Sequence, residues 1–253
     1  MLKVSIIVVI SLLAMSCTKD STAPYTVVET PIGELELVES YAVDVPEPSG
    51  LTFGPGHQTL ITVSDHTNMV YELDLQGNII RMLNYEGKDL EGVAYNPDEN
   101  VLAIVEEADR EITLLDYDSG MKLQTFKIVI PSNADNSGLE GISYNTNNKL
   151  YYIVNETNPE LMIIWEPGSG IISKDDLGFA LDYSGICVET DRSFLWFVSD
   201  QSKSIFQCDY NAQVLKRFNL DISKYEGIVV DKQDVYLIND ASATLYQYQI
   251  KNN

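Results

Sequence analysis

The fold is decided by the stretch Asp89-Leu90-Glu91-Gly92-Val93-Ala94-Tyr95, because its core recurs along the chain. An acidic or small residue precedes a glycine and an apolar run five times, at nearly regular intervals. The copies are Ser49-Gly50-Leu51, Glu91-Gly92-Val93, Glu140-Gly141-Ile142, Ser184-Gly185-Ile186 and Glu226-Gly227-Ile228. A period of about 40–50 residues is typical of propeller blades with four strands each. The sequence therefore predicts an all-β fold, a five-bladed β-propeller.

The second repeat indicates the structure of one blade. Residues 92–95, 101–105, 111–116 and 122–130 are short apolar or alternating runs separated by polar turns, and they predict four strands. The first run of each repeat is apolar without strict alternation, as expected for a strand between two neighbouring blades. We expect the motif glycine to allow close approach of the crowded inner strands, although simple turn geometry would also favour glycine.

The two ends of the chain predict how the ring closes. The last repeat supplies only three strands before the chain ends at Asn253. The missing outer strand is predicted at the other end, where residues 34–43 alternate polar and apolar side chains like the other outer strands. Pairing of this segment with the last blade would close the ring and define a propeller over residues 34–253.

A second acidic series follows the motif at a nearly fixed distance. The interval from Ser49 to Asp65 recurs in the next three repeats and is two positions shorter in the last. In an antiparallel hairpin the start of the first strand lies beside the end of the second, so the two series should meet at one mouth of the central channel. The predicted metal ligands are Glu91, Glu140, Glu226, Asp65, Glu107, Glu156, Asp200 and Asp240. Residues expected close enough to contribute are Glu47, Asp89, Glu106, Asp182, Ser49, Ser64, Asn155, Ser184, Ser199 and Asn239.

The chemistry of this acidic mouth favours calcium. Carboxylates this close together would raise one another's pKa, and a bound cation removes that penalty. An all-oxygen ligand set favours a hard metal, and Ca²⁺ tolerates more ligands and looser geometry than Mg²⁺. The alternative is that the acids are solvated turn residues or bind amides of the next blade.

The composition limits the partners. Lys and Arg total 16 against 38 Asp and Glu, which gives a net charge of −22. Such a charge repels phosphate backbones and anionic lipids, so we expect no nucleic-acid partner. Cations or basic partners are favoured, and we expect a monomer.

The N-terminal residues predict export and lipidation. Residues 1–16 combine Lys3 with an apolar stretch and predict a signal peptide. Leu13-Ala14-Met15-Ser16-Cys17 resembles a bacterial lipoprotein signal, so Cys17 is the expected lipidation site, with ordinary signal cleavage as the alternative. Residues 17–33 would then be the lipid attachment site and a tether. The expected location is the bacterial cell envelope, on its periplasmic or outer-membrane face, with no membrane contact except the anchor.

Two further cysteines, Cys187 and Cys208, fall on the predicted first and third strands of the fourth blade. Two strand spacings are roughly 9.5 Å, whereas bridged Cα atoms are seldom more than ~7 Å apart. We therefore expect two free thiols.

At several motifs the chain resembles the SdiA-regulated family of bacterial envelope proteins. The matching segments include Pro46-Glu47-Pro48-Ser49-Gly50-Leu51, Gly138-Leu139-Glu140-Gly141-Ile142 and Tyr225-Glu226-Gly227-Ile228. The resemblance implies a five-bladed propeller similar to NHL-repeat propellers, with a calcium site, but it implies no particular activity.

Two functions are compatible with these features. One is a non-catalytic binding module that holds an unknown small molecule or envelope protein. The other is a calcium-dependent hydrolase, such as a lactonase, esterase or phosphoesterase, in which the metal activates water. The sequence provides few basic groups for hydrolysis, because His66 is the one histidine expected at the mouth and Lys203 is the one obvious lysine near it. We therefore favour the binding module and name no catalytic residue.

Overall fold

The computed structural model describes residues 30–130 and 138–251, and nearly all regular structure in them is β-strand. The signal peptide, Cys17 and most of the predicted tether lie outside the described residues. In chain order the strands are β1 Ile32–Gly33, β2 Leu35–Ala42, β3 Pro48–Phe53, β4 Leu60–Ser64, β5 Met69–Leu73, β6 Ile79–Glu86, β7 Leu90–Asn96, β8 Val101–Glu106, β9 Glu111–Asp116, β10 Lys122–Lys127, β11 Leu139–Asn145, β12 Leu150–Asn155, β13 Leu161–Glu166, β14 Gly170–Asp176, β15 Gly185–Glu189, β16 Phe194–Ser199, β17 Ser204–Cys208, β18 Val214–Asn219, β19 Tyr225–Asp231, β20 Asp234–Asn239 and β21 Thr244–Ile250. Two short 3-10 helices, Pro55–His57 and Thr190–Arg192, lie in turns.

These strands form five sheets, one for each sequence repeat. Blades 1 to 4 run outward as β3 to β6, β7 to β10, β11 to β14 and β15 to β18, and blade 5 runs β19, β20, β21, β2. The predicted five-bladed propeller is confirmed. Strands within a blade are antiparallel, so each motif residue at the start of an inner strand lies beside the end of the second strand.

Ring closure follows the prediction and adds one element to it. Strand β2 pairs antiparallel with β21, from Leu35 opposite Ile250 to Ala42 opposite Thr244. Two residues of the segment expected to be tether, Ile32 and Gly33, form β1 and pair in parallel with β18 of blade 4. The N-terminal segment thus joins the last two blades.

The motif glycines are needed for close packing of the inner strands. A Cβ added to Gly92 would lie 2.2 Å from the carbonyl oxygen of Glu140, and one added to Gly227 would lie 2.6 Å from the carbonyl carbon of Gly50. Of the five, Gly50 alone has a positive φ, of 54°. Steric crowding at the centre of the ring is therefore the main reason for glycine, with turn geometry contributing in blade 1.

The channel is closed in its middle by an apolar layer. One buried aliphatic side chain from each inner strand contributes to it: Leu51, Val93, Ile142, Ile186 and Ile228. The space among them holds no water-sized cavity. The acidic mouth is therefore a closed cup, separated from the opposite face of the ring.

The cysteines of blade 4 are both free and buried, on β15 and β17 as predicted. Within the described part of the chain, no helix is long and apolar enough to cross a bilayer.

Candidate metal centre

The two acidic series converge on one mouth of the propeller, where they surround a cavity of about 230 Å³. Seven of the eight predicted ligands line it: Asp65, Glu91, Glu140, Glu156, Asp200, Glu226 and Asp240. The eighth, Glu107, lies against Glu140 and Glu156. The cavity is also lined by Glu47, Ser49, Asp182, Ser184, Gln201 and Lys224. The repeat spacing therefore identified the residues that the fold brings together.

Irregular strand pairing accompanies the motif residues in several blades. The register between β7 and β8 shifts between Leu90 and Gly92, so Glu91 has no paired residue opposite it. The same shift occurs around Glu226 in blade 5 and around Glu140 in blade 3. Such bulges redirect side chains, and these carboxylates face the cavity.

Two groups of three carboxylates have spacing suited to a cation. Triad A is Asp65, Asp89 and Glu91, and triad B is Glu107, Glu140 and Glu156. Within each triad, one oxygen from every residue lies within 4.8 Å of the others. Ca²⁺ binds oxygens at about 2.3–2.6 Å, so one ion could contact three oxygens at these separations.

Glu140 is the most isolated charge of the mouth. Its side chain is 9% exposed, and among the described residues no hydrogen bond or ion pair to its carboxylate is found. Burial raises its pKa well above the ordinary value, and the neighbouring carboxylates of Glu91 and Glu107 raise it further. A buried carboxylate without a partner is costly. A hard cation would satisfy it, so the residues present fit calcium.

Burial and neighbouring carboxylates also disfavour the ionised form of other acids of the mouth. Burial raises the pKa of Asp65, and Asp89 adds to that rise. Burial also raises the pKa of Glu226 to about 7, with Asp240 contributing in the same direction. The Oδ1 atom of Asp240 is buried and has no hydrogen-bond partner among the residues that the structure describes.

The serines at motif positions stabilise neighbouring carboxylates. Ser49 donates a hydrogen bond of 2.7 Å to Glu91, which lowers the pKa of a carboxyl that burial otherwise raises. A hydrogen bond from Ser184 likewise lowers the pKa of Glu226. These hydroxyls are therefore hydrogen-bond donors to the acids of the next blade.

Lys224 is the functional residue that the sequence analysis missed. It lines the cavity, and its Nζ lies 3.4 Å from Asp200 Oδ2 and 3.8 Å from Glu226 Oε1. Lys203, the lysine expected near the mouth, is exposed and does not line the cavity. Its position in the repeat could have identified it, because Lys224 lies two residues before Glu226, as Asp89 lies two residues before Glu91.

Several residues expected to contribute oxygens have other partners. Glu106 is buried inside blade 2, where it accepts hydrogen bonds from Tyr85 and Thr113. Glu106 is the last residue of β8, whereas Glu107 begins the following turn and lies against Glu140 and Glu156 at the mouth. Backbone carbonyls accept hydrogen bonds from three other residues that do not line the cavity: Ser64, Asn155 and Asn239. Ser199 does not line it either, but its hydroxyl donates a hydrogen bond to the carboxylate of Asp182, which does. His66 is exposed, with Nδ1 3.7 Å from Glu47.

A second cavity, of about 290 Å³, opens on the opposite face. Its lining includes Phe53, Tyr95 and Tyr144 from three successive blades. His57 lies there, stacked on Phe53, with its Nδ1 3.2 Å from Asp231 Oδ2. The apolar layer separates this cavity from the acidic mouth.

Comparisons with known proteins agree with the fold. The sequence profile of the SdiA-regulated family matches residues 43–220. No curated protein sequence matches the chain significantly.

Solved structures of two enzymes and of a further β-propeller domain share the architecture. Myxococcus xanthus glutaminyl cyclase is 13% identical with a TM-score of 0.67, covering 88% of this chain and 100% of that one. A catalytically inactive virginiamycin B lyase from Staphylococcus aureus, with quinupristin, is 20% identical with a TM-score of 0.51, covering 81% of this chain and 66% of the lyase. The β-propeller domain of Myceliophteria thermophila Swd1 is 8% identical with a TM-score of 0.50, covering 81% and 65%. At these identities the likeness concerns the fold.

Proposed function

Because this chain belongs to the SdiA-regulated family, which it matches over residues 43–220, we propose that it is a calcium-binding β-propeller lipoprotein of the bacterial cell envelope. It holds a small molecule or an envelope protein without catalysing a reaction. Calcium binds among the carboxylates of the acidic mouth and stabilises the ring by joining residues from separate blades.

The observation that carries this proposal is the state of Glu140. Its carboxylate is 9% exposed, has no hydrogen-bond donor among the described residues and faces Glu107 and Glu156. A solvated surface acid would be exposed, and a structural buried acid would be hydrogen-bonded, as Glu106 is. Glu140 is neither, and a cation is the partner that its surroundings leave room for.

Thermal unfolding in chelator and in millimolar Ca²⁺ tests the proposal. An ion at ~100 times its dissociation constant adds about 2.7 kcal/mol of stability by linkage. We expect a clear rise of the melting temperature with Ca²⁺ and a smaller one with Mg²⁺, which requires stricter geometry. Coincident curves with and without Ca²⁺ would contradict the metal site.

Charge-removing variants locate the ion. Glu91→Gln and Glu140→Gln keep the side-chain shape and remove one charge, so each should weaken the response to Ca²⁺. The matched control is Glu99→Gln in the exposed turn after β7, at the opposite end of that strand from Glu91, which removes the same charge away from the mouth. An equal loss of response in the control would indicate a general charge effect.

The hydrolase alternative is less well supported by the mouth. It would require a general base beside the metal, and His66 does not line the cavity, although its Nδ1 lies 3.7 Å from Glu47, which does. Lys224 is present at the mouth but already bridges two carboxylates. Calcium-dependent turnover of lactone or phosphate-ester substrates that is lost in Glu140→Gln would favour the hydrolase over the binding module.

Anchoring at the membrane belongs to the same proposal. Lipidated Cys17 would attach the propeller through the short segment that precedes β1. Replacing Cys17 by Ser should move the protein from the membrane fraction to the soluble fraction, because the proposal gives the mature chain no other anchor. Retention of the variant in membranes would contradict lipid attachment at Cys17.

A further inference from the structure

Lys224 occupies, in blade 5, the position that Asp89 occupies in triad A. The acids of triad A stand at positions 65, 89 and 91 of the chain. Asp200, Lys224 and Glu226 repeat that spacing without change. They are therefore the counterpart of triad A across the ring, with a cationic residue in place of one carboxylate.

The backbone at the two positions is also equivalent. Asp89 and Lys224 both have positive φ, of 57° and 71°. The carbonyl of Asp89 accepts a hydrogen bond of 2.9 Å from the amide of Glu107, and that of Lys224 accepts one of 3.0 Å from the amide of Asp240. The same turn thus presents a carboxylate in one blade and an ammonium in another.

The ammonium of Lys224 lies between the two remaining acids of its group. Its Nζ is 3.4 Å from Asp200 and 3.8 Å from Glu226. The positive charge of Lys224 also lowers the pKa values of Glu156 and Asp240, which burial raises. Lys224 therefore provides positive charge mainly for the side of the mouth formed by blades 4 and 5, and Glu156 is the one acid of triads A and B whose pKa it is found to lower.

The opposite side of the mouth has weaker positive charge. In triad A, His66 is the basic group that lowers the pKa of Asp65, and it ranks behind burial and the carboxylates of Asp89 and Glu47. Arg110 acts on Glu107 in triad B in the same secondary way. Glu140 has no cation among the groups that shift its pKa. The demand for a cation is thus greatest at triads A and B.

We propose that Lys224 is a built-in substitute for a metal ion: its ammonium fills the third triad-like site and confines calcium to triads A and B. The inference rests on the proposed calcium binding and narrows it. Of the eight acids that the sequence pointed to, Asp200 and Glu226 would share the single positive charge of Lys224, which offsets part of their negative charge.

Counting bound calcium in Lys224→Asp tests this inference. The substitution recreates triad A in blade 5, and Asp tolerates the left-handed backbone at this position. By equilibrium dialysis with Ca²⁺, we expect Lys224→Asp to bind one more ion per chain than the unaltered protein. Lys203→Asp is the matched control, because it makes the same charge change at an exposed turn outside the cavity lining.

Each outcome of the dialysis decides between the two proposals. Equal stoichiometry in Lys224→Asp and the parent overturns the role of Lys224, even where the parent binds calcium. No ion in the parent but one in Lys224→Asp would contradict the proposed calcium binding and support the substitution by lysine. No ion in either protein would overturn both.

A second variant covers the case in which Lys224→Asp does not fold without metal. Lys224→Asn supplies a neutral oxygen ligand with less repulsion and also tolerates positive φ. It should melt at a lower temperature than Lys203→Asn in chelator and regain more of the loss in Ca²⁺. Identical behaviour of the two Asn variants in both buffers would overturn the inference.

Discussion

The hydroxyl of Ser49 in blade 1 donates a 2.7 Å hydrogen bond to the Oε2 atom of Glu91 in blade 2. The same hydroxyl lies 2.9 Å from the backbone oxygen of Glu91, and Ser49 is 2% exposed. A serine at a motif position therefore has a role of its own, although it replaces the acid found in other blades. It connects two blades and partly satisfies one of the buried carboxylates.

Replacing Ser49 by Ala should destabilise the protein by about 1–3 kcal/mol, because it leaves a buried carboxylate with one donor fewer. Urea unfolding in chelator measures the difference. Ser40→Ala is the control, since Ser40 is exposed on outer strand β2. Equal small effects of the two substitutions would mean that the Ser49 contact contributes nothing measurable.

Both thiols of blade 4 should be unreactive in the folded protein. Burial raises the pKa of Cys187 to about 12 and that of Cys208 further, and the thiolate is the reactive form. In a Cys17→Ser background, a thiol-specific dye at about pH 8 should label no cysteine in native protein and two after unfolding in guanidinium. Rapid labelling of the native protein would show that blade 4 opens readily.

The closing strand should be indispensable, whereas β1 should not. A chain that begins at residue 34 loses the short β1 but keeps β2, and we expect it to unfold cooperatively with a modest loss of stability. A chain that begins at residue 44 also loses β2, which exposes the edge of β21 and removes the contacts of Leu35 and Tyr41 with the core. This chain should aggregate or unfold without cooperativity. Equal melting of the two truncated chains would contradict closure through β2.

The sequence predicted the fold because its glycine period has a steric cause. A Cβ at Gly92 or Gly227 would clash with the backbone of the neighbouring inner strand. Every blade therefore has glycine at this position. Strand β1 could not be foreseen, because so short a segment carries no period and its partner, β18, lies far along the chain.

The site was predicted in its membership but not in its internal order. Fixed spacing brought the acids to one mouth, yet spacing alone did not reveal that Lys224 forms ion pairs with Asp200 and Glu226. Glu106 and Glu107 show a related limit, since the last residue of β8 and the first residue of the following turn lie in different environments. The sequence analysis selected residues of one chemical type, the acids. Lys224 is found only by comparing equivalent positions of the repeats, where it matches Asp89.

Glu140→Gln should change the stability of the protein in opposite directions with and without calcium. In chelator at about pH 8, the substitution removes a buried, unpaired carboxyl group whose ionised form the folded protein disfavours, and we expect stabilisation of roughly 1–3 kcal/mol. In millimolar Ca²⁺ the same substitution removes a ligand, so the variant should be less stable than the parent. Chemical unfolding in both buffers measures the two differences, with Glu99→Gln, in the turn at the opposite end of β7, as the control that should show neither.

The effect in chelator should also depend on pH in one direction. The pKa of Glu140 is raised above its ordinary value of 4.5 in the folded protein, so the folded state retains a proton that the unfolded chain releases. The unfavourable contribution of Glu140 to the free energy of unfolding is absent below about pH 4.5. It grows as pH rises towards the raised pKa. The advantage of Glu140→Gln should therefore shrink from about pH 8 to pH 5. An advantage that stays constant over this range, or the same sign of effect in chelator and in Ca²⁺, would contradict a buried carboxylate that awaits a cation.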